Sequence, residues 1–183
     1  MLSHLVPLRR AAAHRLVLPL LACSCAVEQA DPRDSSVLVR HELRRHGLSF
    51  ELPAHYRAFS LEGTELDRTD TVAFQSSSNP GGDVSIVLRF FSAGPLPLEL
   101  AIASGERELL ADFPAAAAED TRGPLGEGRF LTIASEERRQ EIELFPLGSD
   151  RVLRIHVFGH PAALRAAAVE VQRFRLSLEA TAE

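Results

Sequence analysis

The chain has 183 residues, a net charge of −5 and a composition 45% hydrophobic. That is enough for one domain with a real core, and an acidic balance argues against nucleic acid or an anionic bilayer surface as partner. All 20 basic residues are arginine; a GC-rich genome is the simplest source of that bias, so Arg40, Arg44, Arg45, Arg138, Arg139 and Arg154 are not promoted to a binding site.

The first 22 residues carry Arg9, Arg10 and Arg15, no acid, and a short apolar run over 16–22 that ends in Leu20-Leu21-Ala22-Cys23. A basic start, an apolar stretch and a small residue before the cut are the pattern of a secretory signal. With a cysteine next, the segment resembles the lipobox of bacterial lipoproteins. The resemblance implies cleavage before Cys23, acyl chains on Cys23, and attachment to the cell envelope. Ser24 in the following position implies sorting to the outer membrane, facing the periplasm. An ordinary signal cut elsewhere and a mis-set start remain open, whereas Arg15 and His14 interrupt any membrane span. Acylation of Cys23 would leave Cys25 unpaired, and the domain would then have no disulfide and depend on apolar packing.

Residues 23–36, rich in Ala, Glu, Asp-Pro and Ser, read as a flexible tether spanning on the order of 40 Å when extended. The pattern turns to β at Val37. One strand is expected over Val37–Arg44, a turn at His46-Gly47, and a strand over Leu48–Leu52 closed by Pro53. Leu61–Asp70 reads as polar loop and Thr71–Phe74 as a strand. Ser76–Asp83 is the strongest turn signal in the chain. The near-continuous apolar run Val84–Phe91 suggests a central strand covered on both faces.

Pro95 and Pro97 open a helix with Leu98, Ile102, Leu109, Leu110 and Phe113 near one face. Gly123–Gly128 reads as a glycine-rich loop. Strands over Arg129–Ala134, Gln140–Phe145 and Val152–Phe158 form an antiparallel meander. The alternation of Ile142 and Leu144 with Glu141 and Glu143 implies one wet face. Pro161 starts a last helix, with Leu164, Ala168, Val171, Phe174 and Leu178 as its buried stripe. The expected architecture is α+β: a mainly antiparallel sheet of six or seven strands with two main helices packed on it, in one domain over 37–183.

This order, with Gly47-Leu48-Ser49-Phe50-Glu51-Leu52-Pro53 at its start and Phe174-Arg175-Leu176-Ser177-Leu178 at its end, resembles the PsbP-like α/β/α sandwich. The DcrB-like and LpqN-like lipoproteins belong to that group. A tryptophan or glycine often follows the hairpin proline there; Ala54-His55-Tyr56 stands here. The resemblance implies a domain that binds or assists other proteins rather than an enzyme, by analogy of fold.

No catalytic constellation emerges, and no metal or cofactor is implied. His156 and His160 have helical zinc spacing, but on a strand they lie about 13 Å apart, beyond the reach of one ion unless Gly159 bends the chain. The Gly123–Gly128 loop precedes a strand and lacks the lysine of a phosphate loop. Ser76–Ser78 has no partner base. Phe90, Phe91 and Leu96, at the end of the central strand, are the candidate partner surface. The expected function is a membrane-tethered, non-enzymatic accessory that binds an envelope protein. The alternatives are a lipid-anchored hydrolase using Ser76–Ser78, His156 or His160, and a cytosolic effector chaperone of the same fold group if the segment is no signal.

Overall fold

The computed structural model describes residues 37–59, 70–76 and 82–181. Cys23, the signal, the tether, Ser77 and Ser78 lie outside the described residues, as does all of the Leu61–Asp70 loop except Asp70.

Among the described residues, ten strands form two antiparallel sheets. The smaller contains β1 (Leu38–Leu43), β2 (Leu48–Pro53) and β10 (Glu179–Ala180), in the order β1-β2-β10. The larger runs β3-β4-β5-β9-β8-β7-β6, built from β3 (Arg57–Phe59), β4 (Thr71–Ser76), β5 (Val84–Ser92), β6 (Ala117–Gly123), β7 (Gly126–Ala134), β8 (Arg139–Leu147) and β9 (Arg151–Gly159). The helices are α1 (Leu98–Asp112), α2 (Pro161–Ala166) and α3 (Ala168–Ser177). The α+β class, the seven-stranded sheet and the β7–β9 meander match the expectation.

The first hairpin shows how the residues set the geometry. A single 3-10 turn at Arg44–His46 is closed by Gly47, whose φ of 61° lies in the left-handed region that favours glycine. The Gly47 N–H donates to Arg44 O at 3.1 Å, and Gly47 O accepts the Thr181 N–H at 2.9 Å. The turn sets β1 against β2 from Leu43↔Leu48 to Leu38↔Pro53. Leu48, Phe50 and Leu52 are then fully buried.

Two apolar cores lie on opposite faces of the large sheet. In the main core, Phe50 of β2 meets Phe74 of β4 and Phe174 of α3 edge-to-face, with centroids 5.4 and 5.5 Å apart. Ile86, Leu88, Leu153, Ile155 and Val157 supply the sheet side. The second core packs Ile102 and Leu109 of α1 on Leu131, Ile142, Leu144 and Val152. Thus β2 and α3 cover one face, while α1 packs mainly on β7, β8 and β9 of the other.

Several expectations are corrected. The strands β3, β6 and β10 carry too little apolar alternation to be seen, and register with their neighbours is what defines them. The glycine-rich segment is a hairpin joining β6 to β7. Its glycine at 128 serves packing: a Cβ there would strike Leu144 O and lie 2.7 Å from the Phe145 ring. The last helix is two, joined at Ala167, which takes the buried position expected of the exposed Ala168. The glutamate face of β8 is not wet, because α3 lies over it. Arg175 bonds Glu141 Oε2 at 2.9 Å and also Glu143 Oε1, leaving Glu143 5% exposed. Finally, β5 is interior but covered well on one face only: Val84, Ile86, Leu88 and Phe90 are buried, whereas Arg89 and Phe91 are exposed.

Candidate functional site

At the end of β5 the chain turns sharply into α1. The Ala93 N–H donates to Asp150 O at 2.7 Å and pins the turn to the start of β9. Gly94 follows at φ 60° and its N–H donates to Ser92 Oγ at 3.1 Å. The Leu96 N–H closes back on Ala93 O at 3.2 Å, and Pro97 caps α1. The Leu96 and Leu100 side chains stand at the surface, and Leu96 lines a groove with Phe91.

A groove of about 230 Å³ opens between this turn, α1 and the sheet, walled by Phe91, Leu96, Ala101, Leu109, Val152 and Arg154. Phe91 is 40% exposed and Leu96 48% exposed, so the rim presents apolar surface to solvent. The Arg154 guanidinium lies over the Phe91 ring, 5.2 Å from its centroid. Burial pushes the Arg154 pKa down, as does Arg89, and Glu108 opposes them.

Of the expected partner surface, the structure brings Phe91 and Leu96 together and removes Phe90. Phe90 is 6% exposed and stacks on His46 with centroids 3.8 Å apart. The physical reason is strand alternation: Phe90 and Phe91 are consecutive and must point to opposite faces. Arg154 in the groove wall, and the exposure of Leu100 on α1, escaped the sequence reading. Leu100 was hidden because turn geometry decides which leucines of α1 face outward. Arg154 was set aside with the other arginines.

The remaining candidates have structural partners. His156 Nε2 lies 2.9 Å from Gln140 Oε1. Burial, with Arg154, Arg138 and Arg89 nearby, pushes its pKa down to about 4, so the ring is neutral at neutral pH. His160 caps α2, its Nδ1 accepting the Ala162 N–H at 3.2 Å. Ser76 is fully buried on the core face of β4, whereas His156 lies on the other face of the sheet, so the two cannot form a nucleophile–base pair. His41 packs between Phe50 and Phe74, and burial lowers its pKa. His55 lies 3.3 Å from Glu170, both nearly buried, but misaligned for a hydrogen bond.

A second cavity, of about 260 Å³, lies between the β6–β7 hairpin and α3, with Glu143 and Arg175 in its wall. Burial raises the Glu143 pKa, and Arg175 pulls it back. Arg175 is already engaged by Glu141 and Glu143, so this cluster ties α3 to β8 instead of offering free groups to a ligand. No helix among the described residues is long and apolar enough to cross a membrane.

No protein-family model and no curated protein matches the chain. Solved structures do. The solution structure of cyanobacterial PsbP (CyanoP) from Synechocystis sp. PCC 6803 aligns over 78% of this chain and 92% of its own, with a TM-score of 0.54 at 9% identity. The Saccharomyces cerevisiae Ran-binding protein Mog1p aligns over 79% of this chain and 95% of its own, with a TM-score of 0.51 at 13% identity. The chain has a PsbP/Mog1-like fold. The likeness is one of fold, and the groove residues rest on this chain's own geometry.

Proposed function

We propose that the chain is a non-enzymatic accessory that binds an envelope protein at the groove beside Phe91 and Leu96. It would be held at a bacterial membrane by acyl chains on Cys23, through the 23–36 tether, facing the periplasm. The observation that carries the binding role is the groove itself, an apolar rim left exposed at a fixed turn on a body without a paired nucleophile and base among the described candidates. The likeness to a protein described as Ran-binding adds support to a binding role. The tether rests on the lipobox pattern alone.

Two measurements test the reading. A photo-crosslinking residue at position 96 of the full chain should give one defined adduct in cells, and Phe91→Asp should abolish it while the protein still folds. Loss of the adduct from the wild type, together with ester or peptide hydrolysis by the pure protein, would overturn the binding role. Palmitate labelling of the wild type, lost in Cys23→Ala, tests the anchor independently; an unlabelled wild type removes it.

A further inference from the structure

The groove continues onto a charged sheet face. Strand alternation divides the large sheet: Val72, Phe74, Ile86, Leu88, Ile155 and Val157 face the main core, so their neighbours face the other way. On β3, β4, β5 and β9, those other positions include Arg57, Arg89 and Arg154, with the neutral His156, and no aspartate or glutamate. In a chain of net charge −5, this is a segregated basic surface.

Arg89 and Arg154 are the centre of it. They are paired directly across β5 and β9. Like charges directly opposite each other weaken a sheet. The usual remedy is a carboxylate between them, and none within ion-pair distance is present among the described residues. Among the described residues, Arg89 Nε donates to Thr71 Oγ1 at 3.3 Å. The Arg154 guanidinium sits over the Phe91 ring, which places it beside the groove. Glu108 of α1 stands on the far wall, close enough to act on Arg154 but making no ion pair with it.

We infer that the Arg89–Arg154 pair is an anion-reading point that receives an aspartate or glutamate side chain of the docked protein, while a neighbouring apolar side chain of the same segment enters the groove beside Phe91 and Leu96. The inference rests on the proposed docking role and adds the chemistry of the partner. Two planar guanidiniums suit a carboxylate, which accepts paired N–H bonds in fork geometry. A pocket of about 230 Å³ beside them suits one apolar side chain and is too small for a folded element. A flat anionic bilayer fits less well, because the rest of the acidic chain would be repelled.

The test uses the ¹⁵N-labelled full chain and two probe peptides, acetyl-Leu-Glu-Phe-amide and its Gln counterpart. The Glu peptide should shift the Arg89 and Arg154 Nε–H resonances and the Phe91 and Leu96 amides saturably. The Gln peptide should bind about tenfold more weakly, the loss expected for charge-assisted hydrogen bonds. Arg89→Gln and Arg154→Gln should each erase that difference without lowering the melting temperature. Equal binding of the two peptides, or shifts that map elsewhere, would overturn the inference. So would recruitment to anionic vesicles that depends on Arg89 while the Glu peptide fails to bind. If the position-96 adduct survives Arg89→Gln and Arg154→Gln, the groove reading stands and the carboxylate inference falls. If the wild-type adduct is absent, the docking reading falls first.

Discussion

The two faces of the seven-stranded sheet are built to different ends. One is sealed by β2 and α3, with Phe50, Phe74 and Phe174 fully buried against each other. The other is sealed by α1 only over β7–β9; across β3, β4 and β5 no described helix makes an extended contact. Alternation gives both faces the same backbone, so the difference lies wholly in side chains. The larger apolar core lies on the sealed face, and a smaller one lies under α1 on the other. The open face keeps Arg89 opposite Arg154, an arrangement that costs stability.

Mutations should separate the faces. Phe174→Ala should cost most, about 3–5 kcal/mol, because it empties the centre of the aromatic cluster; urea denaturation measures it. Arg175→Met should follow at about 3 kcal/mol, since it strands the buried Glu143 carboxyl. Adding Glu143→Leu to Arg175→Met should restore most of the loss, and a double variant no better than the single would place the cost elsewhere.

The open face should respond to acid. The native His156 pKa of about 4 lies below the ordinary value of 6.5. Between those values the unfolded chain takes up a proton that the native state refuses, so stability falls as pH drops from 6.5 toward 4. The loss should be on the order of 2 kcal/mol after solvent screening. His41, also lowered, acts with the same sign. Glu143, raised by burial, acts oppositely above its ordinary value. Thermal melts across this range should show a shallower slope for His156→Gln; an unchanged slope would exclude the ring as its source.

The smallest effects separate the open face most sharply from the sealed one. Arg89→Gln relieves the repulsion with Arg154 and should raise stability by about 0.2–1 kcal/mol. Leu100→Ser, at an exposed position of α1, should stay within about 0.5 kcal/mol. Both are read from melting curves, and a loss above 1 kcal/mol in either would mean the open face contributes to the core.

The fold was legible where apolar periodicity is strong. The alternation of Leu48, Phe50 and Leu52, the run Val84–Phe91 and the meander over β7–β9 carry the large-sheet core in their own sequence. The strands β3, β6 and β10 were not legible, since Arg57–Phe59 and Glu179–Ala180 are too short for a period and Ala117–Gly123 is mostly polar. Half the groove was visible: Phe91 and Leu96 stood out as apolar residues at a strand end. Arg89 and Arg154 become a pair only through the β5–β9 register, which joins residues 65 positions apart and leaves no local trace.

The two-residue strand β10 has a mechanical consequence. Both β1 and β10 run antiparallel to β2, with Leu38 at its Pro53 end and Ala180 at its Leu48 end. A pull between residues 38 and 180 therefore draws the outer strands past β2 in opposite directions. The ladder bonds lie across that pull and are loaded together, in shear, instead of being unzipped one by one. Under tension the short β10 ladder should yield first, while the six-residue β1 ladder holds the other end to the body.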